Sequence, residues 1–270
     1  MGSIQPCVLS INCVYSEPLT AQRQLPPTVC KARGPKNKAV MLKIVTLDEF
    51  KVHSFLASIH SRDNHTIPIL DEFPRGVKKL LVTQEGLVLS EIRLKQLKTA
   101  CQPLACQFLD GVRFMHEHYV AHLDLKPDNI VIAATGHLFI IDFSVSVQVS
   151  GPDSWIKGYR GTEGWVAPEL EESPDREYQP IRADLWSVGR VLQYFADRQG
   201  AYMSGPIESL AARLLSRNPQ ERPSLSILPD DPILELNERK EEETLEDVQI
   251  VVPDEPFNYR RIPQHCLTAW

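Results

Sequence analysis

The eight residues His122 to Asn129, HLDLKPDN, constrain this chain more than any other stretch. Before them Leu104, Phe108, Val112 and Met115 recur at spacings of four, four and three, the stripe of a core-facing helix. After them come two short strand-like runs, Ile130 to Ala133 and His137 to Ile141. An Asp, a Lys two residues later and an Asn five residues after the Asp suit phosphoryl transfer. The Asp can orient an attacking hydroxyl and accept its proton, the Lys can neutralise the moving phosphate, and the Asn offers a hard oxygen to Mg2+. Asp142, at the end of the second run in IIDFSVSV, is placed to supply a second metal oxygen. Either piece alone would read as a polar turn.

The rest of the chain divides around this loop. Thr28 to Ala32 and Ala39 to Ile44 read as a hairpin across the turn-rich ARGPKNK, after an irregular segment 1–24 with weak strand character at Val8 to Tyr15. Asp48 to Ile59 reads as a helix, SRDNHTIP as a turn, and Lys78 to Thr83 as a buried strand. Pro103 falls where a first-turn proline is tolerated, so the long helix is expected to begin there. Ile181 to Asp197 and Ile207 to Ser216 read as further helices. The run LELNERKEEETLEDVQ opens an acidic tail, 229–270, read as solvated or partly disordered.

Composition removes several classes. With 24% charged and 43% hydrophobic residues over 270 positions, the chain is neither disordered nor dependent on disulfide staples. A net charge of −6 without a Lys/Arg block argues against nucleic acid as the partner. The six cysteines, at 7, 13, 30, 101, 106 and 266, form no Cys-x-x-Cys pair and no metal-finger spacing, which reads as thiols in a reducing compartment. No apolar run approaches a membrane span, and neither a secretory nor a lipidation signal is complete. The expectation is an intracellular, cytoplasmic or nuclear protein without a membrane anchor; the oligomeric state is not readable.

Together HLDLKPDN and Asp142-Phe143-Ser144 resemble the eukaryotic protein kinases, and further landmarks stand in that family's order. Ala167-Pro168-Glu169 is similar to the end of the kinase activation segment. RADLWSVGRVL resembles the helix whose Asp, here Asp184, braces the catalytic loop. RNPQERPS supplies Arg222, which in this family pairs with the segment's Glu, here Glu169. AVMLK places Lys43 like the strand lysine that grips the ATP α- and β-phosphates. The likeness covers roughly residues 25 to 228, and the wording NHTIP, YRGTEGW and PIRADLW looks most like divergent kinase-like proteins of mushroom-forming fungi.

The resemblance implies an α+β, two-lobed fold: a reduced strand-rich lobe, 25–86, and a mostly helical lobe, 87–228. It implies ATP and Mg2+ as cofactors, Asp124 as base, Lys126 on the γ-phosphate, and Asn129 and Asp142 on metal. Lys43 then needs an acid from the following helix. Glu49 is the choice, because Phe50, Val52 and Leu56 follow at the usual offsets; Asp48 competes, and the alternative for Glu49 is a helix-dipole role at the first turn. The partner is a protein substrate or binding partner, and Lys126 favours Ser/Thr over Tyr as acceptor.

Three departures from the family stand out. The glycine positions of the phosphate loop hold Gln22, Gln24 and Pro27, which approach phosphate less closely than glycine. Leu123 replaces the arginine that answers a phosphorylated activation loop. Ser144 replaces the glycine of Asp-Phe-Gly, which is expected to restrict movement of Asp142. RQGAYMSGP also replaces a docking helix. These departures keep a second reading open, a pseudokinase acting as a binding or scaffold module. A third reading, a small-molecule phosphotransferase, shares the His-x-Asp…Asn logic but lacks counterparts to Ala167-Pro168-Glu169 and Arg222.

Overall fold

The computed structural model describes residues 16–19, 28–199 and 205–227, with the backbone alone for 16–19, 94–99, 199 and 227. Gln22, Gln24, Pro27, the stretch Val8 to Tyr15 and the acidic tail lie outside the described residues. Two compact units are present. One contains the described residues up to Lys51 together with Ile67–Glu85; the other contains Val52–Thr66 and the described residues from Gly86 onward.

The first unit is built on one antiparallel sheet. Strands β1 (Ser16–Leu19), β2 (Val29–Arg33) and β3 (Ala39–Val45) are followed by helix α1 (Leu47–Ala57) and by β4 (Ile69–Arg75) and β5 (Lys78–Gln84). The spatial order is β1-β2-β3-β5-β4. The ARGPKNK hairpin forms as expected: Gly34 N–H donates to Lys38 O at 2.8 Å, and Lys36 and Asn37 take positive φ to turn the chain. Its core is small, with Ala32, Val40 and Val82 buried and Leu42 and Phe73 packed against them. Two strands were hidden in the sequence. β1 arises inside a stretch that reads as irregular, and β4 contains Pro74 among charged residues. Proline cannot donate to a ladder, and β4 tolerates it because it lies at the sheet edge.

The second unit carries β6 (Leu87–Val88), α2 (Leu94–Glu117), β7 (Val120–Ala121), β8 (Ile130–Ile132), β9 (Leu138–Ile140), β10 (Val147–Gln148) and β11 (Ile156–Lys157). It continues through α3 (Pro168–Glu171), β12 (Glu177–Tyr178), α4 (Pro180–Gln199) and α5 (Gly205–Leu214). Leu104, Phe108, Val112 and Met115 of α2 are buried, as their spacing requires, beside Leu185, Val188, Leu192 and Phe195 of α4. Each such side chain contributes about 1.5–3 kcal/mol on burial, so this cluster fixes the frame on which the loops rest. Helix α2 differs from expectation at its start. It begins at Leu94, so Pro103 lies inside it and the carbonyl four residues back loses its helical donor.

The NHTIP turn is a structural corner. Asn64 Nδ2 donates to the Leu56 and Ile59 carbonyls at 2.9 Å each, closing the end of α1. Ile140 N–H donates to His65 O at 2.7 Å, and the His65 ring meets Leu138 O at 3.1 Å. The corner thereby ties the end of α1 to β9, the strand that leads into Asp142.

Candidate active site

Lys43 lies on β3, opposite Val29 on one side and Leu81 on the other. Only Thr46 separates β3 from α1, and its Oγ1 accepts the Glu49 N–H at 3.2 Å, an N-cap that starts the helix at once. The first helical turn therefore carries Glu49 back over the strand end. Lys43 Nζ reaches Glu49 Oε1 at 2.5 Å, with the glutamate 6% exposed. The short Lys-to-Glu spacing is accommodated by removing the connection rather than by breaking the pair. Asp48, the competing acid, is exposed and meets Lys51 at 3.0 Å.

In the second unit, Asp184 organises the HLDLKPDN loop from α4. Its side chain is fully buried; Oδ2 accepts the His122 N–H and Oδ1 the Leu123 N–H, both at 2.6 Å. His116 Nε2 of α2 lies 3.1 Å from the same carboxylate. These bonds hold Leu123 at φ 64°, a left-handed conformation that costs a side-chain-bearing residue about 1–2 kcal/mol. Asp124 follows directly on this strained residue. Leu123, where the family has arginine, is buried with Val166, Leu170, Tyr178 and Ile181, so the catalytic loop meets the activation segment through apolar contact.

Asp124 gathers three donors. Lys126 Nζ approaches Oδ2 at 2.7 Å, Asn129 Nδ2 donates to Oδ2 at 2.9 Å and to the Asp124 carbonyl at 2.8 Å, and Thr162 donates its hydroxyl to Oδ1 at 2.7 Å. Lys126 Nζ also reaches Thr162 Oγ1 at 2.5 Å. Thr162 is the member that sequence reasoning missed. Its only signal is a place beside Gly161, ahead of Ala167-Pro168-Glu169. Gly161 has φ +102°, and a Cβ there would lie 2.4 Å from the Leu123 carbonyl oxygen. Glycine is what allows this close approach.

Asp142 follows Ile141, whose N–H donates to Asn129 O at 3.0 Å, so the backbone of one expected metal-binding residue is tied to the residue just before the other. Asp142 has φ 68°, and its Oδ1 accepts from Ser144 N at 3.3 Å. The positive φ therefore falls on the aspartate, and Ser144 stands without strain in this arrangement. Phe143 is buried, with its ring centroid 4.8 Å from His53 and 5.2 Å from His122. His122 accepts the Asp124 N–H at Nδ1 (3.3 Å), which puts the ring proton on Nε2, 3.0 Å from Ile141 O. Burial holds this imidazole below its ordinary value of 6.5, outweighing the carboxylates of Asp184, Asp142 and Asp124. The neutral ring thus bridges the Asp124 loop to the strand before Asp142.

The chemistry of this donor set suits Mg2+. Asn129 commits its amide nitrogen to Asp124, which leaves the amide oxygen as a hard ligand, and Asp142 supplies a carboxylate. Among the described residues no group of three or more His, Cys, Asp or Glu forms a metal cage. Magnesium held partly by substrate phosphates calls for one or two protein oxygens rather than a cage.

Below the loop, Glu169 at the start of α3 meets Arg222 in a bidentate pair, 2.7 Å at each oxygen, with the arginine 1% exposed. Arg222 also donates to the Ser216 and Arg182 carbonyls at 2.9 and 2.8 Å. Further out, Ser187 Oγ donates to Trp165 O at 2.9 Å and Arg160 to Val145 O at 3.2 Å. The segment from Val145 to Glu171 is thus tied to α4 and to the loop at several points.

Comparison with known proteins agrees with this architecture. The protein kinase domain model matches residues 36–204. The serine/threonine-protein kinase HAL5 of Saccharomyces cerevisiae is 38% identical over 154 residues, 54% of this chain and 17% of that protein. The probable serine/threonine-protein kinase KKQ8 of Candida glabrata is 44% identical over 91 residues, 32% of this chain and 12% of that protein. The serine/threonine-protein kinase cds1 of Schizosaccharomyces pombe is 36% identical over 96 residues, 34% of this chain and 21% of that protein. The chain thus matches only 12–21% of the length of these fungal relatives. With a strand-rich unit, a helical unit and the family's motifs matched over more than half its length, the chain belongs to the protein kinase domain family.

Proposed function

We propose that the chain is an ATP- and Mg2+-dependent protein kinase that transfers the γ-phosphate to a Ser or Thr hydroxyl of a protein. One observation carries this reading: Asp124, Lys126, Asn129 and a hydroxyl converge within hydrogen-bond distance. Asp124 would orient the acceptor hydroxyl and take its proton; Lys126 would balance charge on the phosphoryl group in flight. Lys43, held by Glu49, would grip the α- and β-phosphates. Asn129 and Asp142 would hold Mg2+, which when bound spreads the phosphate charge. The Ser/Thr kinase names of the relatives support the acceptor class.

The lobes are proposed as 25–86 and 87–228, with 1–24 contributing to the smaller one and the acidic 229–270 tail available to protein partners. An intracellular setting and kinship with kinase-like proteins of mushroom-forming fungi belong to the same proposal. Among the described residues no helix is long and apolar enough to cross a membrane. Leu123, buried among apolar side chains, supports an activation segment ordered without phosphorylation.

A second reading, a pseudokinase scaffold, is favoured by Gln22, Gln24 and Pro27 in place of glycines. Thermal melting with ATP and Mg2+ separates the two, because a ligand at about 100 times its Kd stabilises the native state by about 2.7 kcal/mol. A kinase is expected to melt higher with nucleotide, and Lys43→Met to lose most of that shift. An unchanged melting temperature at saturating nucleotide would favour the scaffold.

A further inference from the structure

We infer that Thr46 is a positioning residue for the phosphate grip, setting the Lys43–Glu49 pair before any nucleotide arrives. This rests on the kinase reading, in which Lys43 meets the α- and β-phosphates. The device lies within residues 43–50, all in the first unit. β3 ends at Val45 and α1 begins at Leu47, so Thr46 alone joins strand to helix. Its hydroxyl oxygen accepts the Glu49 N–H at 3.2 Å, and its carbonyl accepts the Phe50 N–H at 3.0 Å. Glu49 is thereby fixed as the third residue of the first turn. At 3.6 residues per turn, a helix start displaced by one residue would rotate Glu49 by about 100° and carry its carboxylate off Lys43. Thr-x-x-Glu is also the spacing of a capping box, in which the glutamate helps to close the helix start. Here that carboxylate ends on Lys43 Nζ at 2.5 Å, so the cap that starts the helix also places the cation.

A second contact holds the same turn from the neighbouring strand. Lys79 of β5 faces Val45 in the ladder. Its Nζ lies 4.6 Å from the centre of the Phe50 ring and 2.8 Å from Glu72 Oε1. A cation over an aromatic face is attractive, so β5 adds to the anchoring of the first turn.

Glu49 is buried, whereas Lys43 keeps 25% of its side chain exposed. The ammonium therefore stays open to a ligand while its carboxylate is shielded. Lysine is a point charge on a flexible stem, and holding it in place beforehand removes an ordering cost from phosphate binding.

The test titrates the full chain with ADP and Mg2+, and separately with adenosine, which has no phosphate. Thr46→Val removes the accepting oxygen at nearly constant shape, and Thr46→Ser restores it. Thr46→Val should weaken ADP binding by about fivefold, the usual effect of a lost N-cap. Adenosine binding should stay unchanged, and Thr46→Ser should recover the ADP affinity. An equal loss for ADP and adenosine overturns the positioning role. So does an ADP affinity for Thr46→Val that matches the wild type, which leaves the kinase reading standing. No ADP binding by the wild type overturns both. Amide hydrogen exchange in the wild type needs no variant. The Glu49 and Phe50 N–H groups should be protected in the free protein and remain equally protected with ADP; protection that appears only with ADP overturns the preassembled pair.

Discussion

Asp184→Asn tests how the catalytic loop is held. The replacement keeps shape and removes both the charge and one acceptor. In the native protein each oxygen of Asp184 is committed, Oδ1 to Leu123 N–H and Oδ2 to His122 N–H, each at 2.6 Å, with His116 Nε2 at 3.1 Å. An amide has one oxygen, so its NH2 must face a donor and one buried N–H is stranded. A hydrogen bond to a charged acceptor contributes about 1.5–3 kcal/mol, and a stranded buried donor costs about 1–3 kcal/mol. The two overlap in part, which gives about 3–5 kcal/mol, a large share of the roughly 5–15 kcal/mol by which domains are stable. Three of the four tryptophans, Trp155, Trp165 and Trp186, lie in the second unit, so urea denaturation followed by tryptophan fluorescence reports mainly on it. Asp197→Asn, exposed on the same helix, serves as control and should change stability by less than about 0.5 kcal/mol. If Asp184→Asn costs no more than this control, the view that buried charge fixes Leu123 in its strained conformation is wrong.

Two further perturbations follow from the same geometry. Gly161→Ala forces a Cβ to 2.4 Å from Leu123 O at φ +102°, whereas Gly136→Ala meets positive φ in open space. The backbone alone costs about 1–2 kcal/mol in both, and overpacking adds about 1–3 kcal/mol at Gly161 only, so denaturation midpoints that match would contradict the tight approach. His65 and His122 are both held by burial below their ordinary value of 6.5. The unfolded chain then binds more protons as the pH falls below about 6.5, so stability should drop there and level off below the folded values. Burial raises Asp110 from its ordinary 3.8, which acts in the opposite sense, adding stability as that carboxyl takes up its proton at lower pH. A melting temperature that rises between about pH 7 and pH 5.5 would contradict the histidine assignment.

Much of the site was legible because its chemistry is local in sequence. Asp124, Lys126 and Asn129 fall within one turn-forming loop, and the helix before it announces itself by spacing. Lys43 and Glu49 were readable for a similar reason: six residues hold a strand end, a threonine cap and the first helical turn. Thr162 was not legible. It reaches Asp124 across 38 residues, and its position depends on a glycine whose need for space shows only against the Leu123 carbonyl. The strands β1 and β4 escaped because edge strands need no apolar alternation and tolerate Pro74. The early start of α2 escaped because an internal proline removes one hydrogen bond where the sequence suggests a boundary. Leu123 was readable as a departure, but only the fold supplies its consequence, a buried contact with Val166 and Leu170.

The most direct test of the kinase reading is metal-dependent transfer of the ATP γ-phosphate by wild-type protein and by Asp124→Asn, prepared in parallel and matched for melting temperature. The wild type should transfer phosphate to protein only when Mg2+ is present, and Asp124→Asn should lose the transfer by about 10²–10⁴-fold, the usual contribution of a positioned base. Equal rates for the two proteins would contradict the role given to Asp124, and no transfer by either would contradict the kinase itself.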